Sequence, residues 1–169
     1  MRLPLILSAG LLFSLGMNLP VMSQSTVEVA QIQISSNRKL TLEARRLRFN
    51  RNLWNSKNIV NYRYTFSNGC FCIPDARGPV VIEVRNGKTV SVTSVATGQP
   101  VSNPEFFRNY NTIPKLFNVI GDAIQRQAAN LDVSYNPQYG YPTQINVDYN
   151  AQIADEEIYL TIENFQVIR

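Results

Sequence analysis

An α+β domain, built from two α-β-β-β units whose antiparallel sheet carries its helices on one face, is the fold class this sequence predicts. Three observations carry that reading. Residues 61–67 alternate strictly, with Tyr62, Tyr64 and Phe66 on one side and Arg63, Thr65 and Ser67 on the other, as a half-buried strand does. Residues 112–126 instead repeat at helical spacing. The motif P-x-x-I-x-V occurs twice, as Pro79, Ile82, Val84 and as Pro142, Ile145, Val147. Each copy follows a helical segment and an alternating aromatic one, and each precedes another strand.

The first 23 residues read as a secretory leader. Arg2 gives a positive start, residues 3–19 are an apolar run, and Pro20 breaks any helix. Val21 and Ser23 then stand at −3 and −1 of a cut before Gln24, the order of a processed signal peptide. A membrane-spanning helix needs about 20 apolar residues. This run is shorter and contains glycine and serine, so cleavage is expected rather than anchoring, with no membrane span afterwards. No cysteine lies near the cut, which excludes lipid attachment there. Removing 23 of 169 residues leaves 146, a length suited to one domain that can bury a core without a disulfide framework.

Residues 24–37 are polar and β-branched, and are read as a tether or a short edge strand. Residues 38–169 form the single domain. Its first helix is expected at 40–57, where Leu40, Leu47 and Trp54 oppose Leu42, Phe49 and Leu53 on the helical wheel. Either set could face the core. Strands at 61–67, 79–85 and 88–95 follow, the last two joined by Asn86-Gly87, a pair suited to a two-residue hairpin because both positions need positive φ. Residues 97–111, with Gly98, Pro100 and Pro104, read as a connection. Thr112 then caps the second helix and Pro114 sits in its first turn, where a missing N–H costs nothing. Ile113, Leu116, Phe117, Ile120, Ala123 and Ile124 form its apolar stripe, and Lys115, Asn118, Asp122 and Arg126 lie opposite. Strands at 131–135, 143–149 and 157–165 complete the chain. The wet sheet face should show Arg63, Thr65, Glu83, Arg85, Ser91, Thr93, Gln144, Asn146 and Asp148.

The order W…N-Y-R-Y-T-F…C-F-C…P-V-V-I-E-V-R-N-G, then T-I-P-K-L-F, then G-Y-P-T-Q-I-N-V-D-Y and A-D-E-E, resembles an uncharacterised bacterial domain-of-unknown-function family of exported proteins and lipoproteins. The likeness runs from Trp54 to about Phe165. It implies an exported α+β domain. No activity comes with it, and so no catalytic residue.

Composition removes several chemistries. The chain has no histidine, hence no Ser-His-Asp triad, no Cys-His dyad and no His-ligated metal. The acids are scattered, and no pair is placed across a cleft for acid–base work. A non-enzymatic binding or interaction module, needing no cofactor, is the expectation. Its partner would be another envelope protein or a peptide rather than nucleic acid, since no nucleic-acid-binding motif is present.

Four surfaces are candidates. Cys70-Phe71-Cys72 is the sharpest: extended, its Cα atoms would lie about 6.6 Å apart, near the upper end of disulfide geometry, so the bond would be strained and reducible. An exporting compartment favours oxidation. The alternatives are a thiol redox pair, a Cu(I) site, pairing between molecules or free thiols, while ligands for tetrahedral zinc are missing nearby. Asp148, Asn150, Asp155 and Glu156 gather oxygen ligands as a Ca²⁺ loop would, yet they miss the EF-hand spacing, and a solvated hairpin loop competes. Tyr135, Tyr139 and Tyr141 bracket a Pro/Gly loop as a binding rim or as core edges. Finally, residues 38–57 hold seven bases, among them Arg38, Lys39, Arg45, Arg46, Arg48 and Arg51, against Glu43 alone. Such a segment suits anionic lipid, a polyanion or an acidic partner, or is simply a solvated helix face. An envelope-associated structural role, held through that helix, is a further alternative.

The leader makes the first testable prediction. Protein recovered from the exporting host should begin at Gln24 on N-terminal sequencing and leave the membrane on carbonate washing. Full-length protein retained in the membrane would contradict it.

Overall fold

The computed structural model describes residues 24–153 and 157–169, so the leader lies outside the described residues. Its elements, in order, are α1 (Gln24–Ser56), β1 (Tyr62–Asn68), β2 (Val80–Arg85), β3 (Lys88–Ser94), α2 (Ile113–Gln125), β4 (Asn130–Tyr135), β5 (Pro142–Asp148) and β6 (Ile158–Val167). Short 3-10 turns stand at Pro74–Ala76 and Pro104–Phe107. The six strands make one antiparallel sheet in the order β3-β2-β1-β6-β5-β4. Each half is a meander, and β1 joins them by pairing with β2 on one side and β6 on the other, so Tyr62 stands between Val84 and Val167.

The alternation resolves as expected. Tyr62, Tyr64 and Phe66 of β1 are buried, and Arg63, Thr65 and Ser67 are not. The repeated motif marks equivalent places: Ile82 and Val84 in β2, and Ile145 and Val147 in β5, all point into the core. At the β2–β3 hairpin Asn86 and Gly87 have φ of 50° and 73°, the left-handed pair that a primed turn requires. Thr112 accepts a hydrogen bond from the Lys115 N–H, closing the first turn of α2, whose Ile113, Leu116, Phe117, Ile120 and Ala123 are buried.

One expectation for α1 changes, and the open choice of its face is decided. Residues 24–37 are helical and form no edge strand. Between Gln24 and Ser56 the chain has no glycine and no proline, so nothing stops the helix from extending back from the domain. The stripe that packs on the core is Leu40 and Trp54, buried, with half-buried Leu47 and with Glu43 among them; of the other set Leu42 and Phe49 face solvent, and Leu53 is half-buried beside Gly140. Arg46 explains how a helix so rich in charge can pack. It pairs with the buried Glu43 at 2.6 Å and donates to the Val133 carbonyl at 2.8 Å, so α1 also covers the outer edge of β4.

Both helices lie on the core face, and both lean on the second half of the sheet. The first half is closed instead by the connection before α2. Phe107 is fully buried against Phe66, and Tyr110 stacks on the same ring at 5.3 Å while its carbonyl accepts from the Tyr64 hydroxyl.

Buried phenols give this core a pH signature. Burial pushes the Tyr62 hydroxyl up to about 12, despite the hydrogen bond it accepts from the Ile113 N–H, and drives Tyr64 and Tyr135 up as well. Unfolded tyrosine ionises near about 10. The native state therefore holds protons that the unfolded state has lost. The resulting stability is complete below about pH 10 and is withdrawn as the pH climbs through about 12. Ultraviolet titration should find some of the eight tyrosines ionising only with alkaline unfolding. A single transition of all eight near pH 10 in folded protein would contradict this packing.

Candidate functional site

The most distinctive surface is the loop between β1 and β2. It is pinched at its base, where the Asn68 N–H donates to the Arg77 carbonyl at 2.7 Å, and the Gly69 N–H donates to the Tyr159 carbonyl of β6 at 2.7 Å. Inside the pinch the Arg77 Nε donates to the Cys72 carbonyl at 2.8 Å, and the Pro74–Ala76 turn is closed by the Ala76 N–H on the Ile73 carbonyl. Gly78 ends the excursion at φ 80°, where a Cβ would come within 2.7 Å of the Phe66 carbonyl oxygen. Only glycine fits this return.

Cys70 and Cys72 stand at the tip with their sulfurs in contact. The segment bends there rather than running as a strand, which brings the Cα atoms to 5.2 Å. That separation lies inside the ordinary disulfide range and is shorter than the about 6.6 Å of an extended strand. Phe71 between them is 85 % exposed, and Ile73 beside them is exposed too.

Behind this tip lies a cleft of about 280 Å³. Pro74, Pro79 and Val80 form one wall, and Ser94, Ala96, Thr97 and Pro100 the other. Both walls are braced by backbone: Val95 N–H donates to the Pro79 carbonyl, Gly98 N–H to the Ser94 carbonyl, and Val101 N–H to the Val92 carbonyl. Asp75 is the one titratable side chain on its lining. Such a cleft offers shape, apolar surface, a few hydroxyl and amide groups and one carboxylate.

The other sequence candidates separate. Tyr141 is buried and Tyr135 and Tyr139 are half-buried. Tyr141 stacks on Phe165 at 4.4 Å, Tyr139 packs on the same ring at 5.6 Å, and Tyr135 lies over Phe117 and under Arg46. Gly140 between them, at φ 81°, touches the α1 backbone at Asn50, where no Cβ would fit. These tyrosines are core edges that fasten the loop to α1.

Of the supposed calcium ligands, Asp155 and Glu156 lie outside the described residues. Asn150 accepts from the Gln152 N–H within its own turn. Among the described residues no three Cys, Asp or Glu side chains gather to hold a metal ion.

The basic segment divides by face. Arg46 is consumed as described, Arg51 lies over Phe117 and donates to Asn118, and Lys39 donates to Asn130. Arg38, Arg45 and Arg48 point outward.

A second groove, of about 400 Å³, runs along α2. Its polar groups satisfy one another: the Tyr149 hydroxyl donates to Asp122 at 2.9 Å, and Arg126 lies 4.0 Å over the Tyr149 ring. Burial, then this carboxylate, push the Tyr149 phenol up to about 12.

The cleft behind the Cys-Phe-Cys loop is absent from the expectations above. A signal for it existed. In a meander, the β1–β2 loop and the exit of β3 emerge at one end of the sheet, and both are marked by Gly-Pro or Gln-Pro pairs at Pro79 and Pro100.

The model of a family of unknown function, DUF6174, matches residues 46–167. The chain belongs to that family. No curated protein and no solved structure matches the chain. The family match opens at Arg46, in the middle of α1, and takes in the whole sheet, α2 and the Cys-Phe-Cys loop.

Proposed function

We propose that this DUF6174 domain is an exported, non-enzymatic binding module that holds a peptide, or a segment of another envelope protein, in the cleft behind the Cys70–Cys72 loop. The observation that carries the reading is that one loop supplies both a wall of that cleft, through Pro74, Asp75 and Gly78, and the exposed ring of Phe71. An aromatic ring is held out in solvent on a loop pinned at its base and cross-braced within, beside a concave, proline-walled surface. Rigid aromatic anchors beside a pocket contribute strongly to binding, because little conformational freedom is lost when they are covered. The leader-like start of the chain supports export, and an oxidising compartment supports a disulfide between the two sulfurs already in contact. That bond would brace the tip, with a modest effect on global stability because its loop is minimal.

A second reading has one observation in its favour: the sulfur pair sits on a solvent-facing tip, half-buried and reachable. On that reading Cys70 and Cys72 handle electrons or Cu(I).

One series of measurements separates the two. Amide NMR spectra titrated with a pool of extended peptides should shift Gly78, Ala96 and Thr97, and the shifts should vanish in Ala96→Trp, which fills the cleft. Shifts centred on Tyr149 and Asp122, or ones that persist in Ala96→Trp, would overturn the cleft as the site. Redox titration with trapping of both thiols should place the pair below about −300 mV, as resistant structural bonds are. A value between about −120 and −200 mV, typical of dedicated thiol oxidants and isomerases, would instead make the cysteines the functional site.

A further inference from the structure

Seven bases crowd residues 38–57, and the fold uses only some of them. Arg46 is paired with Glu43 and a β4 carbonyl, Arg51 with Asn118 and the Phe117 ring, and Lys39 with Asn130. Arg38, Arg45 and Arg48 are exposed and have no ion-pair partner among the described residues. The unused cations share one side of the helix with unused apolar groups. At 100° per residue, Arg38, Leu42, Arg45 and Phe49 fall within about 60° of the α1 circumference, with Arg48 on the flank. This stripe is opposite Leu40, Leu47 and Trp54, and its four members are exposed. Phe49 is 69 % exposed and Leu42 is 55 % exposed, each beside an arginine on the same line.

We infer that this outer face of α1 docks the domain, lying flat, on an anionic lipid surface. The charge argues for such an occupant: this segment holds a local excess of positive charge while the rest of the mature chain is net negative, so a negative plane would attract α1 and turn the sheet away. The alternation argues for lipid over an acidic protein patch. An interfacial helix sinks its apolar side chains just below the headgroups and leaves arginines at the level of the phosphates, which calls for both kinds on one stripe. Length helps as well. Lys39 is level with Asn130 at the start of β4, so the 15 helical residues before it run about 22 Å beyond the sheet and leave the helix side-on to a plane. Among the described residues no helix is long and apolar enough to cross a membrane, so contact is from the surface.

The α1 stripe shares no residue with the cleft lining, so vesicle binding can be tested independently of that site. Protein recovered from the exporting host should co-sediment with vesicles containing one-third phosphatidylglycerol, and not with pure phosphatidylcholine. Arg38→Gln/Arg45→Gln/Arg48→Gln should weaken partitioning about tenfold to a hundredfold, and Phe49→Ser roughly tenfold. The residues are exposed, so urea midpoints of these variants should match the parent, and Ala96→Trp should bind vesicles unchanged. Equal binding to neutral vesicles, no binding to either, or undiminished binding by the triple variant would overturn the inference. So would binding of soluble polyglutamate as tight as binding of the anionic vesicles, which would assign the stripe to an acidic polypeptide.

Discussion

Trp54 is where the two halves of this domain become one. It comes from the end of α1, yet its ring stands edge-on to Tyr62 of β1 at 5.3 Å, to Phe165 of β6 at 5.7 Å and to Tyr141 of the β4–β5 loop at 6.4 Å. Two three-stranded meanders could each satisfy their own ladders and still leave β1 and β6 as exposed edges, the arrangement that sheets otherwise blunt or cover. Pairing β1 with β6 removes both edges, and the aromatic cluster buries the seam on the core face. Edge-to-face contacts of this kind contribute about 0.5–1.5 kcal/mol each beyond the area they bury, so a single tryptophan with three such contacts is a disproportionate tie.

The rest of the architecture follows from that seam. With β1 in the middle of the sheet, its outgoing loop is held on one side by the Tyr159 carbonyl of β6 and on the other by the return into β2. This double anchorage is what lets a loop carry an exposed phenylalanine without collapsing onto the surface. The meander then brings the exit of β3 to the same end, and the cleft forms between them. At the opposite edge α1 covers β4 with Arg46, which fixes the helix so that its remaining cations face outward. Cleft and basic stripe are thus both products of a sheet closed at its centre and capped at its margin.

Much of the fold was legible because local chemistry and tertiary environment agree. Alternation at 61–67, the Asn86-Gly87 turn, and the Thr112 cap with Pro114 each have one cheap solution, and the structure adopts it. The two stripes of α1 were not separable, since Leu42 and Phe49 are as apolar as Leu40 and Leu47, and only the position of Glu43 and Arg46 against β4 selects a face. The helical state of residues 24–37 is likewise a matter of what is missing, namely a breaker, rather than of any positive signal. The site was the least readable part. Tyr135, Tyr139 and Tyr141 look like a rim in one dimension, but Gly140 folds them back against α1, and the Cys70–Cys72 spacing depends on a bend that no residue between them announces.

Native-state hydrogen exchange tests the central claim, that the halves are locked at the Trp54 seam into one cooperative unit. Amides of β2 and β5, which share no contact, should exchange through the same opening with equal free energies at increasing denaturant, and Trp54→Ala should lower both together. If β4 and β5 keep their protection while β1 to β3 open, or if Trp54→Ala affects one half alone, the seam is not what holds the domain together.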